Sequence, residues 1–124
     1  MNKTMIALTV AGVVAGSAAG LTAFAKKQTL ELAGCMKNAV AQRDDAMISA
    51  VQAYNDAIVA ALKDRKVAFM AAWDLTSNKD RNAANKSAVA AFQKSRKDAS
   101  SVFTASKKAF WDQFTKDRKA CITQ

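Results

Sequence analysis

The segment Asp74-Leu-Thr-Ser-Asn-Lys-Asp80 decides the fold of this chain, because it is the only cluster rich in cap-forming residues from residue 35 to the end. Residues 35–124 contain no glycine and no proline, and few structures other than long helices tolerate such a sequence. Ser77, with an acidic residue three positions later, is typical of a helix N-cap. The sequence therefore predicts one turn here and a second helix that begins near Asn78.

Apolar residues on both sides of this turn recur at steps of three, four or seven, which is the spacing of one face of a helix. The first stripe covers residues 36–73 and the second covers residues 84–121. We expect helices over about residues 29–74 and 78–121. A connection this short makes them antiparallel.

The predicted fold is therefore all-α, a long coiled-coil-like hairpin of two antiparallel helices. A three-helix bundle is the architectural alternative, with a third helix that starts at Ser100. The apolar stripe passes through this position without a change of phase, which favours the hairpin.

The two cysteines, Cys35 and Cys121, lie near the free ends of the two predicted helices. Counted outward from the turn, their positions differ by about one helical turn, so a disulfide that closes the hairpin is geometrically reasonable. On a helical wheel Cys35 lies about a third of a turn off the apolar stripe. We therefore expect the first helix to begin near Cys35, after Gly34, or to bend there. Pairing of the cysteines between chains is the alternative.

The N-terminal residues 1–25 have the features of a signal peptide. Lys3 precedes an apolar run, and Ala23-Phe-Ala25 fits the small-x-small pattern of a cleavage site. We expect residues 26–124 to form an exported domain in the periplasm, at the cell surface or outside the cell. A disulfide is the default state of paired cysteines in those compartments. The alternative is a retained membrane anchor that holds the helical domain outside the cytoplasm.

The formal net charge is +9, and nearly all of the excess lies in the second half of the chain. Residues 26–75 carry seven basic and six acidic side chains, whereas residues 76–124 carry eleven basic and four acidic ones. Six lysines fall within about a quarter turn of one another on the outward face of the second helix. This lysine row consists of Lys79, Lys86, Lys94, Lys97, Lys108 and Lys119.

The lysine row is either a solvated face or a binding surface for an extended polyanion. Acidic polysaccharide and an anionic membrane surface are the candidate partners. Nucleic acid is not favoured as a partner, because arginines are few and no aromatic residues alternate with the lysines.

The chain has more aromatic surface than a single seam between two helices can cover. The candidate interface residues are Phe69, Trp73, Phe110, Trp111 and Phe114. We expect them to mediate self-association, with a four-helix bundle as one outcome. On the helical wheel Trp111 lies well outside the apolar stripe.

The sequence offers no catalytic, cofactor-binding or metal-binding pattern. It has no histidine, CxxC motif or glycine-rich phosphate loop, and two isolated cysteines do not make a zinc site. We therefore expect a non-enzymatic protein without a cofactor. Arg43, Arg65 and Arg81 lie close to the apolar stripes, and we expect their stems to cover the seam while the guanidinium groups reach water or nearby aspartates.

Three segments carry a resemblance to other proteins: 35–44 (CMKNAVAQRD), 71–76 (AAWDLT) and 109–121 (AFWDQFTKDRKAC). They resemble small exported all-helical proteins of environmental bacteria, a group with no established activity. The resemblance implies export and paired cysteines. In physical outline the chain is also similar to periplasmic holdase chaperones, which bind unfolded client proteins.

The sequence thus predicts a non-enzymatic cell-envelope protein that self-associates through apolar helix faces. The alternatives are a cationic module that binds a polyanion or a membrane surface, and a periplasmic holdase.

Overall fold

The computed structural model describes residues 18–123, with side chains described from Ala25 onward. It contains helix α1, Ala18–Trp73, and helix α2, Asn78–Ile122, which pack against each other along their length. No strand occurs within residues 18–123. The predicted two-helix hairpin is confirmed, and the three-helix alternative is not found, because α2 runs through Ser100 without a break.

The connection between the helices has the predicted cap. The Ser77 hydroxyl accepts a hydrogen bond from the backbone N–H of Asp80 at 3.4 Å, so one free donor at the start of α2 is satisfied. At the end of α1, the N–H of Asp74 donates to the carbonyl of Ala71, which tightens the last turn. These bonds end one helix and start the next within four residues.

Helix α1 begins further upstream than expected. It is already helical at Ala18, the first described residue, rather than starting near residue 29, and it continues through Gly34 and Cys35, so the expected start at Cys35 is wrong. The segment has no proline, and a glycine inside a helix costs only about 1 kcal/mol. Since α2 ends at Ile122, beside the disulfide, the first turns of α1 have no partner helix in the described structure.

The predicted signal peptide, residues 1–25, lies mostly outside the described residues, and α1 includes its last part. Neither helix described here is both long enough and apolar enough to span a bilayer.

The buried residues of the hairpin repeat at steps of eleven. On α2 they are Ala88, Ala99, Phe110 and Cys121, and on α1 they are Ala39, Ala61 and Ala72, with half-buried Ala50 in the remaining position. Eleven residues in three turns correspond to about 3.67 residues per turn, a period that favours a right-handed supercoil rather than the left-handed one of heptad coiled coils. The seam therefore keeps to one side of each helix along the whole hairpin.

Three pairs of side chains form rungs across this seam. The Arg43 guanidinium lies 4.6 Å from the Phe114 ring, the Tyr54 and Phe103 rings are 5.6 Å apart, and Arg65 lies 4.4 Å from the Phe92 ring. Each step of eleven residues along α1 is matched by a step of eleven back along α2. The rungs therefore follow the same spacing of eleven residues as the buried seam.

The disulfide joins Cys35 to Cys121 within the chain, with the Cα atoms 5.7 Å apart. Cys35 lies one turn before buried Ala39, so it reaches the edge of the seam within the continuous helix α1. The bridge closes the open end of the hairpin across a sequence separation of 86 residues.

Candidate interaction surfaces

Helix α1 carries a second apolar surface that remains largely exposed beside α2. It consists of three pairs separated by eleven residues, and we call it the α1 apolar face: Ile48 and Val51, Val59 and Leu62, Met70 and Trp73. Their exposed fractions range from 39% for Val51 and Leu62 to 68% for Trp73. The face runs for about 38 Å along the helix. Large exposed apolar patches are uncommon on monomeric proteins.

A line of three polar residues follows the middle of this face. Asp44, Asn55 and Lys66 come directly after the rung residues of α1 in the sequence, so they lie about 100° around the helix from the seam. Asp44 forms an ion pair with Arg43, with 2.8 Å between the guanidinium nitrogen and the carboxylate oxygen, and 46% of the Asp44 side chain remains exposed. Within residues 18–123, neither Asn55 nor Lys66 makes a side-chain hydrogen bond or ion pair.

The arginines near the seam lie over aromatic rings. Arg43 contacts both Trp111 and Phe114, at 5.1 and 4.6 Å from the ring centroids. Arg81 lies 4.7 Å from the centre of the Trp73 ring. We expected stems along the seam with guanidinium groups in water or on aspartates, and among these three arginines only Arg43 meets an aspartate within residues 18–123. Cation–π contacts of this kind are the feature that sequence reasoning missed.

The Arg81 side chain also ties the turn together. It donates to the Leu75 carbonyl at 2.9 Å and to the Asn78 side-chain oxygen at 3.2 Å, while its buried Nε has no partner in the described structure. Arg81 therefore joins the end of α1 to the start of α2.

The structure divides the five candidate interface residues between two environments. Phe110 is buried in the seam, and Phe69 and Phe114 are half-buried there. Trp73 and Trp111 are exposed, each beneath an arginine. The two tryptophans are therefore the aromatic residues left open to a partner, and a role for them in an interface stays a prediction.

All six members of the lysine row are exposed. Four of them, Lys86, Lys97, Lys108 and Lys119, are spaced by eleven residues, which places a charge about every 16 to 17 Å along α2. Lys108 forms an ion pair with Asp112. Lys94 pairs with Asp98, and the hydrogen bond to this carboxylate, reinforced by its charge, raises the pKa of Lys94 above the ordinary value.

A shallow groove of about 430 Å³ lies between the helices on the side opposite the α1 apolar face. Small side chains line most of it, including Ala53, Ala57 and Ala60. The acidic groups at its rim are Asp64 and Asp98, and Asp98 is already paired with Lys94. Within residues 18–123, no cluster of three cysteine, aspartate or glutamate side chains is placed to hold a metal ion.

The chain matches no protein-family model, and comparisons with curated proteins and with solved structures find no match.

Proposed function

We propose that this chain is a non-enzymatic interaction protein of the cell envelope that self-associates through the α1 apolar face. The observation that supports this function is the line of large, exposed apolar side chains from Ile48 to Trp73, where α2 places only the Arg81 guanidinium over one side of the Trp73 ring within the described structure. Burying the exposed half of such a side chain at an interface contributes about 1 kcal/mol to the free energy of association. A partner that covers the whole face therefore gains from six side chains at once.

The thin core of the hairpin supports the same proposal. Five of the seven buried residues are alanine, and no large side chain is fully buried within the described part of the chain. An alanine contributes little apolar area, so most of the large aliphatic surface of α1 remains available for association.

For localisation, we propose export directed by residues 1–25, either cleaved after Ala25 or retained as an anchor. The Cys35–Cys121 disulfide is compatible with an oxidising compartment. Self-association on the outer side of the membrane then places two or more hairpins side by side at the envelope.

Sedimentation velocity of the protein purified from its native compartment tests self-association. We expect a dimer or larger species at a protein concentration of about 100 µM, which is far above the Kd values of specific interfaces. The triple variant Ile48→Gln, Val59→Gln, Met70→Gln should sediment as a monomer with unchanged helicity. A control with three exposed alanines on the other side of α1, Ala53→Gln, Ala60→Gln and Ala71→Gln, should assemble like the parent.

Two results contradict the proposal. A parent protein that remains monomeric at this concentration excludes self-association. A control variant that dissociates while the triple variant assembles would move the interface to the alanine-lined groove.

A second candidate function is supported by the lysine row. The spacing of eleven residues gives an extended surface of regular positive charge suited to acidic polysaccharide or an anionic membrane surface. Two ion pairs, Lys94–Asp98 and Lys108–Asp112, reduce its free charge.

As a periplasmic holdase, the protein would instead offer the α1 apolar face to unfolded clients.

A further inference from the structure

We infer that the occupant of the α1 apolar face is the same face of a second copy, packed antiparallel about a two-fold axis at Asn55. This inference rests on the proposed self-association and names its geometry. In a two-fold interface, a residue that contacts another is contacted by it in return. With Asn55 on the axis, residues equally far before and after it in the sequence lie opposite each other.

The polar line supports this register through its charges. Asp44 precedes Asn55 by eleven residues and Lys66 follows it by eleven, so Asp44 of each copy lies opposite Lys66 of the other. Asn55 lies opposite Asn55, and two side-chain amides placed face to face can donate and accept hydrogen bonds with each other. Lys66 is free to make the contact, and Asp44 is only partly occupied by Arg43.

The aliphatic residues match in the same register. Ile48 lies opposite Leu62 of the second copy, and Val51 lies opposite Val59 of the second copy. Further out, half-buried Val40 lies opposite Met70 of the second copy. Each pair occurs twice, so every large side chain of the central face meets another apolar side chain. The pattern is self-complementary over about three turns on either side of the axis.

The ends of the interface add one more match. Lys37 lies opposite Trp73 of the second copy, and a lysine ammonium over an indole ring is a favourable contact. Trp73 is the most exposed member of the α1 apolar face, with one side of its ring already under Arg81.

Other arrangements lose these matches. A parallel two-fold pair places Asp44 against Asp44 and Lys66 against Lys66, which repel. Shifting the antiparallel register by eleven residues in one direction pairs Asp44 with Asn55, and in the other direction pairs Lys66 with Asn55. Among registers that keep the period of eleven, only the one centred on Asn55 pairs opposite charges, and it does so twice.

Cross-linking of single-cysteine additions tests the register in the otherwise intact chain, with the Cys35–Cys121 bridge retained. We expect Asn55→Cys to give a covalent dimer with a short bismaleimide reagent, because its two copies meet at the axis. Asp44→Cys and Lys66→Cys should each fail to cross-link alone, because their copies lie about 33 Å apart. An equimolar mixture of those two variants should give a mixed covalent dimer.

A charge exchange tests the polar line independently. Lys66→Asp places two aspartates opposite each other, and we expect about a tenfold rise in the Kd of the dimer, since the contact occurs twice. The double variant Asp44→Lys, Lys66→Asp should recover most of the affinity. Circular dichroism on each variant separates a lost interface from a lost fold.

The outcomes distinguish this inference from the proposed function. If the Asp44→Cys variant cross-links without the Lys66→Cys variant, the dimer is parallel. This result overturns the antiparallel register but leaves self-association in place. A dimer in which neither Asn55→Cys nor the mixture cross-links uses another face, and also overturns it. A parent protein that is monomeric at all concentrations overturns both. A protein that remains monomeric but binds lipid vesicles through this face assigns the α1 apolar face to a membrane instead.

Discussion

Tyr54 of α1 packs against Phe103 of α2 with ring centroids 5.6 Å apart and planes tilted by 45°. This pair is the middle rung of the seam, between two rungs in which an arginine covers a phenylalanine. These three rungs add contacts of large side chains to a seam whose buried residues are mostly alanine.

The first prediction concerns this middle rung. Phe103→Ala removes the aromatic contact and leaves a gap beside Tyr54, so we expect the free energy of unfolding to fall by about 2 kcal/mol, less than for a fully buried ring because Phe103 is half-buried. Urea unfolding at one fixed protein concentration measures it. Val102→Ala is the control, since Val102 is 65% exposed, and should change stability by less than about 0.5 kcal/mol. Equal losses of unfolding free energy in Phe103→Ala and Val102→Ala would contradict a stabilising contact between Tyr54 and Phe103.

The second prediction separates charge from shape at the Arg65 rung. Lysine keeps the charge but lacks the planar guanidinium that stacks on Phe92, so we expect Arg65→Lys to lower the free energy of unfolding by about 0.5 to 1 kcal/mol. Arg118→Lys is the matched control, because Arg118 is exposed and lies over no ring in the described structure. Equal stability of the Arg65→Lys protein and its parent would show that the positive charge alone, without the planar guanidinium, accounts for the contribution of the Arg65–Phe92 contact.

The third prediction concerns the disulfide. Replacing both cysteines, Cys35→Ser and Cys121→Ser, releases a closed loop of more than 80 residues. We expect a loss of about 4 to 5 kcal/mol in the free energy of unfolding, mainly through a less constrained unfolded chain. The protein should retain its helical signal at low temperature and unfold at a lower urea concentration. A loss below about 1 kcal/mol would mean that the seam alone holds the open end closed.

Much of the fold could be predicted from the sequence because its turn is locally encoded. Ser77 and Asp80 specify a helix start that needs no tertiary information, and the structure places both as expected. The upstream end of α1 is different, because Gly34 is only a weak boundary signal. A glycine in a helix with no competing turn lowers stability slightly and does not end it, so the helix continues to Ala18.

The candidate interface was harder to predict for a geometric reason. Val51 and Leu62 fall in the same apolar stripe as Met47 and Ile58, and the sequence alone does not show which pair α2 covers. That choice depends on how α2 is rotated about its axis, and the structure leaves Val51 and Leu62 exposed. Both pairs recur at a spacing of eleven residues, so the spacing alone does not decide between them.

The last prediction tests the lysine row as a binding surface. The variant Lys86→Gln, Lys97→Gln, Lys119→Gln removes three charges that have no acidic partner within the described residues. The control Lys63→Gln, Lys107→Gln, Arg118→Gln removes the same net charge outside the row. Binding to anionic phospholipid vesicles and to a linear acidic polysaccharide is measured from about 50 to about 300 mM salt, where screening of exposed charges becomes strong.

If the row binds polyanions, the parent should lose affinity steeply as salt rises, and the row variant should bind about tenfold more weakly than the control at low salt. Self-association through the α1 apolar face should weaken only slightly over the same range of salt, because apolar burial is not screened and only the Asp44–Lys66 pairs are. If the row variant and the control bind equally, net charge rather than the spacing of eleven residues attracts the polyanion, and the row is a solvated face.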